Sequence, residues 1–144
     1  MRVAIVLLIA AGCGSHAKGA ELLLDSVRTY HEGLRWGRIP VAASRIPPAE
    51  RADFIADWDS LADDLKITDY EVVSVADTER AAKVEVKYTW YLDSRQVVHD
   101  TRIAEEWERT GDVWIKVAEH LVRGEPMPSE VSLDEADSVD ARGD

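Results

Sequence analysis

The sequence predicts one α+β domain in which three helices come first and a curved four-stranded antiparallel sheet follows. A chain of 144 residues has room for one domain, and its 46% hydrophobic and 31% charged residues are ordinary for a globular fold. Apolar residues recur every third or fourth position up to Leu65 and every second position after it, which indicates helices and then strands. A Thr-Gly-Asp turn between the last two alternating segments predicts an antiparallel hairpin.

The helical part of the chain divides at its glycines and prolines. Residues 20–36 form the first helix, which has an apolar face made of Leu23, Val27, Tyr30 and Leu34. Residues 39–46 form a short second helix, which Pro47 and Pro48 end. The third helix starts at Pro48 and is expected to bury four large side chains: Phe54, Trp58, Leu61 and Leu65.

Alternating polarity predicts strands at residues 67–75, 84–92, 97–109 and 113–122. The clearest of them alternates polar residues with an apolar series: Val84, Val86, Tyr88, Trp90 and Leu92. Six aromatic residues are expected to fill the core between the sheet and the helices: Trp58, Tyr70, Tyr88, Trp90, Trp107 and Trp114. Of these, Trp107 and Trp114 flank the hairpin turn and are predicted to cover its opposite faces.

The first thirteen residues have the layout of a bacterial export signal. Met1 and Arg2 give a positive start, and residues 3–11 are an unbroken apolar run. Nine residues rise only about 14 Å as a helix, which is too short to span the hydrocarbon core of a bilayer. The sequence Ala10-Ala11-Gly12-Cys13-Gly14 at its end resembles the bacterial lipobox, in which small residues precede a cysteine that receives a diacylglyceryl group.

Cys13 is the only cysteine of the chain, so no intramolecular disulfide can form. Lipidation best explains a lone cysteine at this place. We expect lipid on Cys13, residues 1–12 to be a lipoprotein signal peptide, and residues 13–19 to be a tether. This predicts a protein of the bacterial cell envelope that is held by a lipid anchor in the membrane and faces the periplasm. The alternative is cleavage after Ala17, which would release a soluble protein.

The net charge of −11 is concentrated towards the C-terminus. Residues 125–144 contain seven acidic residues and one arginine, with few large apolar side chains. We therefore predict residues 124–144 to be an acidic disordered tail. Because nucleic-acid binding needs clustered lysine and arginine, the acidic balance also argues against a nucleic acid as partner.

With this order of elements the chain resembles the nuclear transport factor 2-like superfamily. The residues that carry the resemblance are Leu34-Arg35-Trp36-Gly37 at the end of the first helix and the paired segments 105–109 and 111–117, where one tryptophan lies late in a strand and another follows the turn. The resemblance covers residues 20–122. It implies a domain at residues 20–123 with the cone-shaped, cystatin-like fold of that superfamily. Its members include isomerases, dehydratases and scaffold proteins, so the resemblance leaves the activity open.

The predicted inward face of the third strand carries polar side chains among its apolar ones. Ile103 and Trp107 mark this face, and alternation places four more residues on it: Val97, His99, Thr101 and Glu105. A carboxylate buried in a cone can have a raised pKa and act as a base. Enzymes that resemble ketosteroid isomerase use an inward Asp or His with a hydrogen-bonding Tyr. This resemblance makes Glu105, His99 and Tyr88 the candidate catalytic residues.

The competing interpretation of the same residues is structural. His99 lies near the start of its strand, where the edge of the sheet is wet. Glu105 can pair with a lysine or arginine, or it can reach the open mouth of the cone. A closed cone filled with aromatic residues would favour this interpretation, and an open cavity that ends at Glu105 or His99 would favour an enzyme.

No spacing of cysteine, histidine or acidic residues predicts a metal site, and no glycine-rich loop predicts a cofactor site. We therefore expect a non-enzymatic envelope lipoprotein whose domain is a protein- or small-ligand-binding module. Its partner would be an envelope protein, a second copy of the chain in a homodimer, or a small apolar ligand. One alternative is an isomerase- or dehydratase-like enzyme with an acid/base residue in the cone. Another is a purely structural homodimer paired through the outer face of the sheet.

Overall fold

The computed structural model of the chain describes the backbone of residues 14–128 and the side chains of residues 22–128. Cys13 and the predicted signal peptide lie outside these residues. Within residues 14–128, three α-helices and a 3-10 turn precede four strands: α1 (Gly14–Arg35), α2 (Ile39–Ala43), the 3-10 turn (Pro48–Glu50), α3 (Arg51–Leu61), β1 (Leu65–Asp77), β2 (Ala81–Leu92), β3 (Val98–Thr110) and β4 (Val113–Gly124). This order confirms the α+β class. Among the described residues, no helix combines the length and apolar character needed to cross a membrane.

The first helix begins at Gly14, inside the segment predicted to be a tether. Its buried side chains include the whole predicted apolar face: Leu23, Val27, Tyr30 and Leu34. The helix ends because Gly37 adopts a φ of +64°, in the left-handed region that favours glycine. The N–H of Arg38 then donates to the Gly33 carbonyl at 2.8 Å, and the N–H of Gly37 donates to the Leu34 carbonyl at 3.2 Å. This Schellman motif turns the chain into α2.

The third helix is shorter than predicted. α3 ends at Leu61, and among its side chains only Trp58 is buried. Leu65, which was expected in this helix, is instead the first residue of β1. The turn between them is the cause, because the Asp64 carboxylate accepts hydrogen bonds from the N–H and the hydroxyl of Ser94 at 2.7 and 2.8 Å. These bonds fix the chain at the start of the sheet.

The sheet is an antiparallel meander in the order β1-β2-β3-β4. The inward face of β3 has the predicted alternation, with four buried residues: Thr101, Ile103, Glu105 and Trp107. Val97 precedes the strand and is 53% exposed, so its assignment to that face is wrong. Bulges interrupt the pairing of β1 with β2 and of β3 with β4. Because a bulge bends and twists its strand, these edge strands curve around the helices and form a cone.

Aromatic side chains fill the space between the sheet and the helices. Tyr70 is half-buried, and the other five of the predicted set are buried: Trp58, Tyr88, Trp90, Trp107 and Trp114. Trp107 and Trp114 share the inward face of the hairpin, which corrects the prediction of opposite faces. The register explains this, because Trp114 pairs with Arg109, and residues two apart on a strand point to the same side.

The domain extends further towards the C-terminus than predicted. β4 continues to Gly124, and Met127 is buried in the core with 2% exposure. The carbonyl of Glu125 accepts a hydrogen bond from the Thr101 hydroxyl, which holds this segment against β3. A disordered tail that starts at residue 124 is therefore contradicted for residues 124–128. Residues 129–144 lie outside the described part of the chain.

The outward face of the sheet is polar. Exposed and half-exposed cross-strand ion pairs lie on it: Lys83–Glu106 at 4.0 Å, Lys87–Asp100 at 3.3 Å and Arg102–Glu85 at 3.9 Å. Such pairs contribute little to stability because water screens them. They keep this face solvated.

Candidate functional site

A histidine, a tyrosine and a carboxylate meet inside the cone. His31 comes from α1, Tyr88 from β2 and Glu105 from the neighbouring β3. Nε2 of His31 lies 3.2 Å from Oε2 of Glu105, and Nδ1 of His31 hydrogen-bonds the Tyr88 hydroxyl. The indole N–H of Trp107 donates to the same oxygen of Glu105 at 3.0 Å. We call His31, Tyr88 and Glu105 the buried triad. The imidazole bonds a carboxylate through one ring nitrogen and a phenol through the other, and such an arrangement can move a proton.

Burial and hydrogen bonding act on Glu105 in opposite directions. Burial alone would raise the pKa of its carboxyl, but the charge of His31 and the hydrogen bonds from His31 and Trp107 lower that pKa below its ordinary value. The other oxygen, Oε1, is buried and has no hydrogen-bond partner among the described residues. The carboxylate is therefore held through one oxygen and depends on His31.

A second polar cluster adjoins the triad because Tyr30 precedes His31 on α1. Nζ of Lys116, on β4, donates to the Tyr30 hydroxyl at 2.9 Å and to the Glu119 carboxylate. Burial raises the pKa of Tyr30. Burial would lower the pKa of Lys116, but the charge of Glu119 raises it above the ordinary value. At neutral pH, Lys116 is thus a cation and Tyr30 a neutral hydroxyl.

The structure brings together two of the three predicted candidates. Glu105 and Tyr88 meet through His31, whereas His99 stacks on Trp90 with the ring centroids 4.6 Å apart. Glu105 pairs with His31 and also accepts a hydrogen bond from Trp107, and no lysine or arginine of the described residues forms an ion pair with it, contrary to the expectation. Glu105 is fully buried, so it does not reach the mouth of the cone.

His31 is missing from the predicted site residues, although the sequence holds a signal for it. It follows Val27 by four positions and precedes Leu34 by three, so it lies on the apolar face of α1. A polar side chain on a buried helix face needs hydrogen-bond partners. Inward-facing polar residues of the sheet, Glu105 and Tyr88, are the available ones.

The buried triad is closed off from solvent. His31 and Glu105 are 0% exposed and Tyr88 is 1% exposed. Three pockets, of about 270, 290 and 330 Å³, lie on the described part of the chain. No residue of the triad lines any of these three.

The pocket of about 330 Å³ is a groove between α3 and the edge strand β4, which we call the α3–β4 groove. Apolar side chains of Ile46, Phe54 and Trp58 line it, together with carboxylates of Glu50, Asp53 and Asp57. Residues 116–119 of β4 form the other wall. The groove thus combines apolar and acidic surface. Among the described residues, no three histidine, cysteine or acidic side chains are placed to hold a metal ion.

The cone of helices inside a β1-β2-β3-β4 meander is the fold of the nuclear transport factor 2-like proteins. The crystal structure of such a protein from Anabaena variabilis aligns with a TM-score of 0.57 and 11% identity, covering 79% of this chain and 96% of that chain. The predicted resemblance is therefore confirmed at the level of the fold.

Two structures from Rhodopseudomonas palustris share this fold. A candidate isomerase aligns with a TM-score of 0.55 and 17% identity, over 69% of this chain and 88% of its own. A protein that contains a SEC-C motif aligns with a TM-score of 0.60 and 10% identity, over 79% of this chain and 96% of its own. Likeness at such low identity shows the fold alone. No protein-family model and no curated protein matches the chain.

Proposed function

We propose that the domain is a non-enzymatic binding module of the bacterial cell envelope, anchored by lipid on Cys13. The burial of the triad is the observation that carries this proposal. A catalytic acid or base has to come within hydrogen-bond reach of the group it serves. With His31 and Glu105 at 0% exposure and Tyr88 at 1%, the triad offers a substrate no such contact. Recognition is then left to the surface of the domain.

The α3–β4 groove is the surface that suits recognition. Its volume of about 330 Å³ is in the lower range of ligand pockets, which hold about 300–1,000 Å³. The rings of Phe54 and Trp58 lie 6.1 Å apart on its α3 side, and aromatic side chains contribute strongly to binding. An edge strand forms the other wall, and edge strands are common docking sites for peptides.

The outward face of the sheet suits a partner less well. It carries the cross-strand ion pairs described above, such as Lys87–Asp100 at 3.3 Å. Stable homodimer interfaces are more apolar than this, because they resemble a domain core that has been divided. This difference favours the groove over a homodimer paired through the sheet.

An isomerase-like enzyme is the second candidate function. The observation in its favour is the triad itself, which joins an imidazole to a carboxylate and a phenol in a fold shared with a candidate isomerase. It requires the cone to open, since the triad lies under α1 and the aromatic core. For this reason we place it second.

Lipid on Cys13 is expected to make the protein cofractionate with membranes. Intact-mass measurement of the membrane fraction should show the loss of residues 1–12 and the addition of acyl chains. Two or more chains anchor stably, whereas a single chain does not. Cys13→Ser should release the protein from the membrane without unfolding it. A native protein that is soluble and begins at Lys18 would contradict this localisation.

A photoreactive phenylalanine analogue placed at Ala118, on the β4 wall of the groove, is expected to crosslink to a partner in intact envelopes. The same analogue at Glu71, an exposed position on the opposite edge strand, serves as the matched control and should give no band. Equal crosslinking from both positions, or from Glu71 alone, would contradict recognition at the groove.

A further inference from the structure

We propose that the occupant of the α3–β4 groove is a basic segment of a partner protein, in which a lysine or arginine lies beside an apolar residue. This inference rests on the proposed function and specifies its partner. The cationic group would lie against the carboxylates of α3. The apolar side chain would contact Phe54 and Trp58.

The carboxylates on the helix side of the groove lack cations. Glu50, Asp53 and Asp57 follow one another at spacings of three and four, so they share one face of the helical segment. All three are exposed, and none of them has an ion pair among the described residues. Like charges four residues apart destabilise a helix. A bound cation would relieve this repulsion.

Two cations of this chain that lie near the groove, Arg51 and Lys116, have other partners. Arg51, next to Glu50, donates from Nε to the carbonyl of Ile46 at 3.0 Å and from its terminal nitrogen to the carbonyl of Ser44 at 3.3 Å. Lys116, on the opposite wall, is bound to Glu119. The lining of the groove holds four carboxylates, of Glu50, Asp53, Asp57 and Glu119, and one ammonium, of Lys116, so it has an excess of negative charge.

The domain's own Lys116 shows which chemistry the groove accommodates. Its ammonium lies 4.6 Å from the centroid of the Tyr30 ring and is paired with Glu119. It donates to the Tyr30 hydroxyl at 2.9 Å, and an ammonium held between a phenol and a carboxylate is a favourable arrangement. The aromatic row continues from Tyr30 to Phe54 and on to Trp58, with successive centroids 6.1 Å apart. Of this row, Phe54 and Trp58 line the groove together with the carboxylates that have no ion pair.

The size and walls of the groove favour a protein segment over a free amine. About 330 Å³ exceeds what one ammonium group fills, and the aromatic row offers apolar contact beyond the charge. The N–H of Lys116 is already bonded to the Arg45 carbonyl at 2.8 Å, but beyond Lys116 the β4 wall is a sheet edge along which a chain in extended conformation can lie. A short segment with a basic and an apolar side chain matches these features together.

The test uses the mature protein, residues 13–144, and a short fluorescein-labelled peptide in which lysine and leucine alternate. Asp53→Asn with Asp57→Asn should weaken peptide binding by about tenfold, since two surface ion pairs are lost. Asp59→Asn with Asp63→Asn removes the same charge from positions that do not line the groove and should leave the affinity unchanged. Added salt should weaken binding to the parent protein.

Several results would overturn this inference: equal losses in both variant pairs, equal binding of a glutamate–leucine peptide, or displacement of the lysine peptide by equimolar spermidine. The last of these would mean that the groove recognises charge alone. A crosslink from Ala118 without binding of the lysine peptide would remove only this inference. Failure of the Ala118 crosslink would remove the proposed function itself.

Discussion

Replacing Trp107 by alanine is expected to destabilise the domain by about 3–5 kcal/mol, the usual cost of truncating a buried aromatic residue to alanine. The Trp107 side chain is 1% exposed and meets the Tyr30 ring edge-on, with the centroids 5.9 Å apart. The substitution also removes the hydrogen bond that the indole donates to Glu105. Urea midpoints of parent and variant would measure the loss. It is a large share of the whole stability of a small domain.

Trp36→Ala is the matched control, because Trp36 is 63% exposed at the end of α1. Surface substitutions usually change stability by no more than about 0.5 kcal/mol, and a change of that size is expected here.

A different outcome for Trp107→Ala would change the interpretation of the cone. If Trp107→Ala were as stable as the parent but lost a saturable fluorescence response to apolar ligands, Trp107 would line a ligand cavity. The enzyme alternative would then take precedence.

Replacing His31 by leucine is expected to destabilise the domain by a similar amount, about 3–5 kcal/mol, because it leaves the charge of Glu105 buried without its partner. Adding Glu105→Leu to this variant should recover much of the loss, since an apolar pair can replace a buried ion pair at little cost. Denaturant midpoints of the single and double variants at neutral pH would provide the comparison. A single variant as stable as the parent would show that the triad contributes nothing to the fold.

The same variants should differ in acid. Because the folded pKa of Glu105 lies below its ordinary value of 4.5, the unfolded chain takes up this proton first as the pH falls. The stability that Glu105 contributes is thus fully present above about pH 4.5 and is lost as the pH falls through the folded pKa. The double variant lacks this contribution, so its stability should depend less on pH in that window.

Much of this fold can be predicted from the sequence because its signals are local. Alternation in β3 is enough to place Glu105 and Trp107 on the inward face, and Gly111 is enough to place the hairpin turn. Leu65 and Met127 were assigned wrongly because tertiary contacts decide their positions. Hydrogen bonds that Ser94 donates to the Asp64 carboxylate, thirty residues away, hold the chain in a turn before Leu65.

The candidate site was harder to predict. His31 and Glu105 are 74 residues apart in the chain, and their contact depends on where α1 crosses the sheet. Alternation identifies inward residues but does not say which helix residue lies above them. The α3–β4 groove was equally hard to predict, because the sequence indicates only that Asp57 belongs to the polar face of a helix. Only the position of α3 across the groove from β4 gives it apolar neighbours there.

Within the described residues, α1 runs from Gly14 to Arg35, and Tyr30 lies sixteen positions after Gly14. At a rise of 1.5 Å per residue, Tyr30, which supports Phe54 in the groove wall, lies about 24 Å along the helix from Gly14. A continuous helix of this length, next to the proposed lipid on Cys13, would limit how far the groove can move from the bilayer. Its search for a partner would be confined to a thin layer next to the bilayer. If the proposed lipid on Cys13 is present, partners in the same membrane would meet the groove at high effective concentration.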